Sequence, residues 1–175
     1  MNLWSLPRFL MLEGERYDIR WGWQDVMAVL AELNADRPEW VCWFRAVARF
    51  FVQPVPDGLL GAAASALADF ITAGRRQKQG LKLLDWQLDA MEIVADINRV
   101  AGREVRDENV HWWTFLGWFH AIGEGRLSEL VTLRSKLARG EKLTAAEEAF
   151  YRENRDRIRL RRPSDEEAAW KERLK

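Results

Sequence analysis

Only one cysteine, Cys42, occurs in the 175 residues, so the chain closes no disulfide on itself and has no thiolate cluster for zinc. Histidine is nearly as scarce. His111 and His120 are the only two, and their spacing of nine sets them about half a turn apart on a helix, out of reach of a shared metal. No apolar run approaches the eighteen or so residues of a membrane span, and the N-terminus lacks the pattern of a signal peptide. The expectation is a soluble intracellular protein. Charge of one sign is missing as well: 27 basic side chains balance 27 acidic ones, which removes any global reason to expect a nucleic-acid binder.

Catalytic signatures are absent too. The sequence has no Gly-x-Ser-x-Gly, P-loop or dinucleotide fingerprint, and no Cys/His pair at useful spacing. Glu13 near Tyr17-Asp18 evokes a small muramidase, but no lysozyme-like glycine-rich lobe follows it, and chance acid pairs are easy to find among so many carboxylates. No catalytic residue, metal or cofactor is expected.

What the chain does have is tryptophan, ten of them, enough either to build a very aromatic core or to leave some rings exposed for another chain. The apolar fraction of 48% and the length place it among globular chains with one domain's worth of core. Arg8–Leu12 and Arg16–Arg20 flank Glu13-Gly14-Glu15 and predict a hairpin over about 8–20. Helical periods follow. Trp23, Val26, Met27, Leu30 and Leu33 share one face, and Trp40, Trp43, Phe44, Val47 and Phe51 form the next stripe, with Arg45 and Arg49 opposite and Cys42 at the edge of the polar face. Asp57 is a candidate N-cap for an alanine-rich helix over about 59–73. A basic loop, Arg75-Arg76-Gln77-Lys78-Gln79-Gly80, precedes a helix over about 83–100 that Gly102 stops. Asp107 can cap the helix running to about Ile122, Ser128 opens another, and Gly140 closes it. Thr144-x-x-Glu147 and Ser164-x-x-Glu167 read as capping boxes. The fold class is mainly α, a bundle of about six to eight helices with a small N-terminal hairpin. Residues 1–162 form a single domain and 163–175 a helical tail.

Asp85, Asp89, Glu92 and Asp96 recur at i, i+4, i+7 and i+11 along one helical stripe, which reads as a solvated face in which Asp85 or Asp89 pairs an arginine, or else as a metal site or a dock for a basic partner, although neither histidine sits in the Glu-x-x-His pair of a dinuclear iron helix. Trp86, Ile93, Ile97 and Val100 face away from it. On the later helix Trp112, Phe115, Leu116, Phe119 and Ile122 make the main apolar face, with Trp113 and His120 opposite it and Gly117 alongside. Trp113 is either core or intersubunit, or part of an exposed partner groove. Arg134 is either a charge anchor for Asp85 or Asp89 or a surface arginine. The six arginines of 152–162 alternate with acids and read as a solvated face.

Leu6-Pro7 before the hairpin, Asp85-Trp86-x-x-Asp89, His111-Trp112-Trp113-x-Phe115, and Leu127-Ser128-x-Leu130 through Leu133-Arg134-Ser135 occur in that order. In this the chain resembles the phage gene-product-fifteen family, small proteins of long-tailed phages and prophages, over roughly 3–160. It differs from the family in its wealth of arginine and in the segment after Pro163. The resemblance implies a gene between the major tail protein and the tape measure protein, hence a tail assembly chaperone in the cytoplasm of the bacterial host. Its partners would be the tape measure protein and tail-tube subunits. Asp85, Trp86, Asp89, His111, Trp112, Phe115 and Arg134 carry the family pattern. Trp113, His120, Arg75, Arg76 and Lys78 are the candidate partner surface, a helix-in-groove contact with basic steering. Two other readings stand beside it: a structural subunit of the tail or its completion complex, forming a homo-oligomeric ring or tube, and a regulatory or packaging protein using 152–162 on nucleic acid.

Overall fold

Glu13 and Gly14 both take positive φ, 49° and 90°, the pattern of the tight two-residue turn whose twist matches that of a hairpin. In the computed structural model, which describes residues 4–75 and 81–160, this turn joins β1 (Phe9–Leu12) to antiparallel β2 (Glu15–Asp18), with Leu10 opposite Tyr17 and Leu12 opposite Glu15. Leu10, Leu12 and Tyr17 are buried while Phe9 and Met11 stay exposed, the alternation expected of a strand with one covered face. Eight α-helices follow among the described residues, so the fold is mainly helical with an N-terminal hairpin, as the sequence predicts. None of these helices is long and apolar enough to cross a membrane.

The chain divides into two units, one made of Met1–Lys78 with Glu104–His120, the other of Gln79–Arg103 with Ala121–Lys175. The first holds the hairpin, α1 (Trp23–Leu33), α2 (Glu39–Phe50), α3 (Leu60–Ile71), and, after the intervening segment, a helix at Trp112–His120. Its interior is aromatic: Phe50, Phe51, Phe70, Trp112 and Phe115 are all but sealed from solvent. The Trp23 ring stacks on Phe115 with centroids 4.8 Å apart. Buried indoles need an acceptor for their one N–H, and backbone carbonyls supply it: Trp112 Nε1 donates to Ile71 at 2.8 Å and Trp23 Nε1 to Glu108 at 3.2 Å.

Expectations for α2 and for the start of α3 fail in this unit. The buried stripe of α2 is Cys42, Ala46, Val47 and Phe50, whereas Trp40 and Phe44 are 73% and 51% exposed. Residues 40–44 are all apolar, so a helix that can bury one face must leave some of them out. Cys42 accordingly lies in the core rather than beside the arginines, its thiol donating to the carbonyl of Ala35. Asp57 sits in a short 3-10 turn and makes no side-chain cap to α3.

The second unit contains α4 (Ala90–Ala101), a helix at Arg126–Arg139 (α6, taking the Trp112–His120 helix as α5), α7 (Ala145–Glu153) and α8 (Arg155–Ile158). Leu130, Leu133 and Ile158 form an apolar cluster against which Leu143 and Tyr151 pack. Gly102 and Gly140, at φ 70° and 69°, end α4 and α6 in the left-handed conformation that glycine adopts without a Cβ penalty. Thr144 and Glu147 form the predicted reciprocal cap at the start of α7. The box at Ser164 and the tail of 163–175 lie outside the described residues.

Here too the structure corrects the sequence reading. Helix α4 starts at Ala90, not near Leu83, because the Asp85 carboxylate accepts from the N–H groups of Gln87 and Leu88, both at 3.0 Å, and holds 85–89 as a turn. The acidic stripe is not a solvated face: Asp89, Glu92 and Asp96 are all buried. Each meets a partner distant in sequence. Asp89 binds Arg134, Glu92 binds Arg157, and Asp96 accepts from the Leu127 N–H at the start of α6. Gly125 makes room for that last contact, since a Cβ there would lie 2.6 Å from Asp96 Oδ1.

Candidate functional site

Helix α5 is not capped by Asp107, which lies in a separate 3-10 turn over Val105–Asp107. His111, the residue before the helix, performs that task. Its Nδ1 accepts from the Trp113 N–H at 3.0 Å, which leaves Nε2 to carry the proton and donate to the Pro7 carbonyl at 2.9 Å. Burial pushes the imidazole below its ordinary pKa, against the raising effect of the Pro7 carbonyl, with the nearby Arg8 charge adding to the fall. His111 is therefore neutral and structural, stacked on Trp21. Trp112 and Phe115 of the same motif point into the core.

Trp113 faces a different way. Its ring is half-buried against Phe70, and Nε1 donates to the Phe70 carbonyl at 2.9 Å. One and two turns further along the same face come Gly117 and His120, and nothing lies within 4 Å of where a Gly117 side chain would begin. At the end of α3 the chain turns back through Ala73 and Gly74 at φ 50° and 70°, with the Gly74 N–H donating to the Asp69 carbonyl. That turn lays Arg75 on the same spot. Trp113, Leu116, Gly117, His120, Thr72, Ala73 and Arg75 enclose a cavity of about 80 Å³. Partial burial lowers the His120 pKa first and the Arg75 charge lowers it further. The cavity has apolar walls from Trp113 and Leu116, a polar rim, and room for roughly one aliphatic side chain. Three of the five predicted partner residues thus come together. Arg76 and Lys78 lie outside the described residues.

The remaining motif residues belong to the second unit, where Asp89 and Arg134 are buried. Arg134 is buried and grips Asp89 bidentately at 2.6 and 2.7 Å. Asp85 is partly covered. Burial raises its pKa, but the N–H groups of Leu88 and Gln87 together with Lys82 outweigh that and hold it below the ordinary value. Trp86 is half-buried in the turn that precedes α4. Among the described residues no group of three or more His, Cys, Asp or Glu side chains gathers as a metal site.

A second concavity, of about 500 Å³, lies between α1 and α2 and is lined by Arg20, Asp25, Glu32, Phe44, Arg45, Ala48 and Arg49. Glu32 is its hub. Arg45 Nε and Arg37 Nη1 each reach one of its oxygens at 2.8 Å, and Arg49 Nε stands 3.7 Å from the other. The bonds from Arg45 and Arg37 hold the Glu32 carboxyl down to about 2. Sequence reasoning missed this site by assigning Trp40 and Phe44 to the core. The signal was there in the five successive apolar residues of 40–44 beside Arg45 and Arg49. No family model, no curated protein and no solved structure matches this chain significantly.

Proposed function

We propose that this chain is a non-catalytic tail assembly chaperone of a long-tailed phage or prophage, acting in the cytoplasm of the bacterial host. Its client is the tape measure protein, a long helical chain that needs its apolar residues covered until tail-tube subunits assemble around it. The observation that supports this reading best is the cavity at Trp113, His120 and Arg75, which offers one apolar socket with a basic rim on a helical face. Such a socket suits one apolar anchor on a client helix, with tryptophan and arginine as the contacting types. The ordered motifs that resemble the gene-product-fifteen family supply the biological setting.

Co-expression with the tape-measure-like protein, followed by co-purification and sizing, tests the reading. A soluble complex is expected where the client alone is insoluble. Gly117→Leu gives the site-specific test, because Gly117 opens onto free space and its replacement fills the socket without touching the core. Removing a glycine from a helix interior also stabilises the helix by about 0.5–1 kcal/mol. The variant should therefore keep or raise its Tm and lose the client. Retained binding would remove the socket from the site. No complex at all, with the chain assembling by itself into a ring or tube, would replace the chaperone with a structural subunit.

A further inference from the structure

We propose that the concave face between α1 and α2 is a second, separate binding site, which takes an acidic amphipathic helical segment of another protein. The first support is charge. Three guanidinium groups, those of Arg20, Arg45 and Arg49, line the face with two carboxylates, Asp25 and Glu32, and Arg37 reaches Glu32 as well, so the face carries uncompensated positive charge although the chain as a whole carries none. Glu32 consumes Arg45 and Arg37. Arg20 spends Nη1 on the carbonyls of Arg49 and Phe51. Among the described residues the Arg49 guanidinium donates no hydrogen bond, only making its 3.7 Å approach to Glu32, and its side chain is about half exposed. An incoming carboxylate finds a guanidinium with donors to spare, suited to bidentate contact.

The second support is the apolar stripe beside that charge. Trp40 and Phe44 are one turn apart on α2, about 6 Å along its axis, and both are exposed. Large exposed aromatics next to arginine are the composition of a binding hot spot. Their spacing matches apolar residues one turn apart on a facing helix, and the groove between two helices accepts such a segment lengthwise. The two carboxylates in the same face favour a peptide over a nucleic acid. Discrete side-chain carboxylates can be placed to avoid Asp25 and Glu32, whereas a continuous row of phosphates cannot.

Fluorescence anisotropy of the full chain with a labelled, amidated helical peptide of glutamates and turn-spaced leucines tests this. The same peptide with lysine for glutamate, and an all-thymidine oligonucleotide, serve as controls. The acidic peptide should bind, weaken as salt rises, and lose about tenfold or more in affinity in Arg49→Glu and in Phe44→Ser. Both positions are exposed, so the variants should keep the parent's circular dichroism and Tm. Gly117→Leu should leave this binding untouched, which separates the site from the tail-assembly socket. Absence of acidic-peptide binding, equal binding of the lysine peptide, or unchanged affinity in Arg49→Glu and Phe44→Ser would overturn the proposal. Preferential binding of the oligonucleotide, lost in the same variants, would overturn it in favour of a nucleic-acid site.

Discussion

Every N–H of the Arg134 guanidinium has an acceptor. Nη1 donates to Asp89 Oδ2 and the Leu83 carbonyl, Nη2 to Asp89 Oδ1 and the Arg157 carbonyl, and Nε to the Ile158 carbonyl, at 2.6–3.1 Å. One side chain thus pins the segment before α4, the last turn of α8 and Asp89 to α6. With side-chain exposures of 4% and 2% for the two partners, solvent screens the pair little, and removing either one strands a buried charge. Arg134→Ala should therefore cost about 3–5 kcal/mol. Arg134→Lys keeps the charge but has three donors instead of five, and no planar fork, so it too should be clearly destabilised, though less. Replacing both partners by apolar residues removes the stranded charge but not the orphaned carbonyls, so Arg134→Met with Asp89→Leu should recover only part of the loss. Urea unfolding of the four proteins checks the order. Equal stability of Arg134→Ala and the parent would mean that the pair holds nothing together.

Element boundaries show how local chemistry and distant packing share control. At the start of α5 a neutral His111 both caps and tethers, a role that a protonated ring cannot fill because Nδ1 would no longer accept from Trp113. Its pKa is lowered in the folded chain, as is that of His120, so the unfolded chain takes up these protons first as the pH falls. Stability should be full above the unfolded value of about 6.5 and decline as the pH drops below it. Glu32 and Glu147, held at about 2, should weaken the fold only below their ordinary 4.5. Denaturation midpoints between about pH 7.5 and 5.5 therefore isolate the histidines. His111→Asn, which can still cap, should flatten the decline, and a parent whose stability rises on acidification would contradict the assignment. The same division explains what was legible in the sequence. The Glu13-Gly14 turn, the Gly102 and Gly140 stops and the Thr144 box are written within a few residues, and all are present. Trp113 and His120 share a face by spacing alone, but Arg75 joins them only through the left-handed Ala73–Gly74 turn. Asp89, just before α4, and Glu92 within it meet arginines 45 and 65 residues away. Periodicity could describe that stripe, but it could not show what would cover it.

For the molecule as a whole, the two units differ in what fills them. The first buries aromatic rings stacked on one another, while the second buries Asp89, Glu92, Asp96 and Arg134 beside a small leucine cluster. Apolar burial tolerates small misfits, whereas a buried ionic network fails sharply when one member is lost. Glu92 already has one buried oxygen without a hydrogen-bond partner among the described residues, so the second unit starts with less to spare. Hydrogen exchange by mass spectrometry can follow each unit in a single experiment. In Arg134→Ala, amides of α4, α6 and α8 should lose protection while those of α1, α2, α3 and α5 keep theirs. A core truncation in the first unit, Phe50→Ala, should cost about 3–5 kcal/mol and give the reverse pattern, exposing α1 to α3 first. If either variant instead lowers protection evenly along the whole chain, the two units unfold as one cooperative body, and ligands bound to the first unit would then protect the amides of the second as strongly as their own.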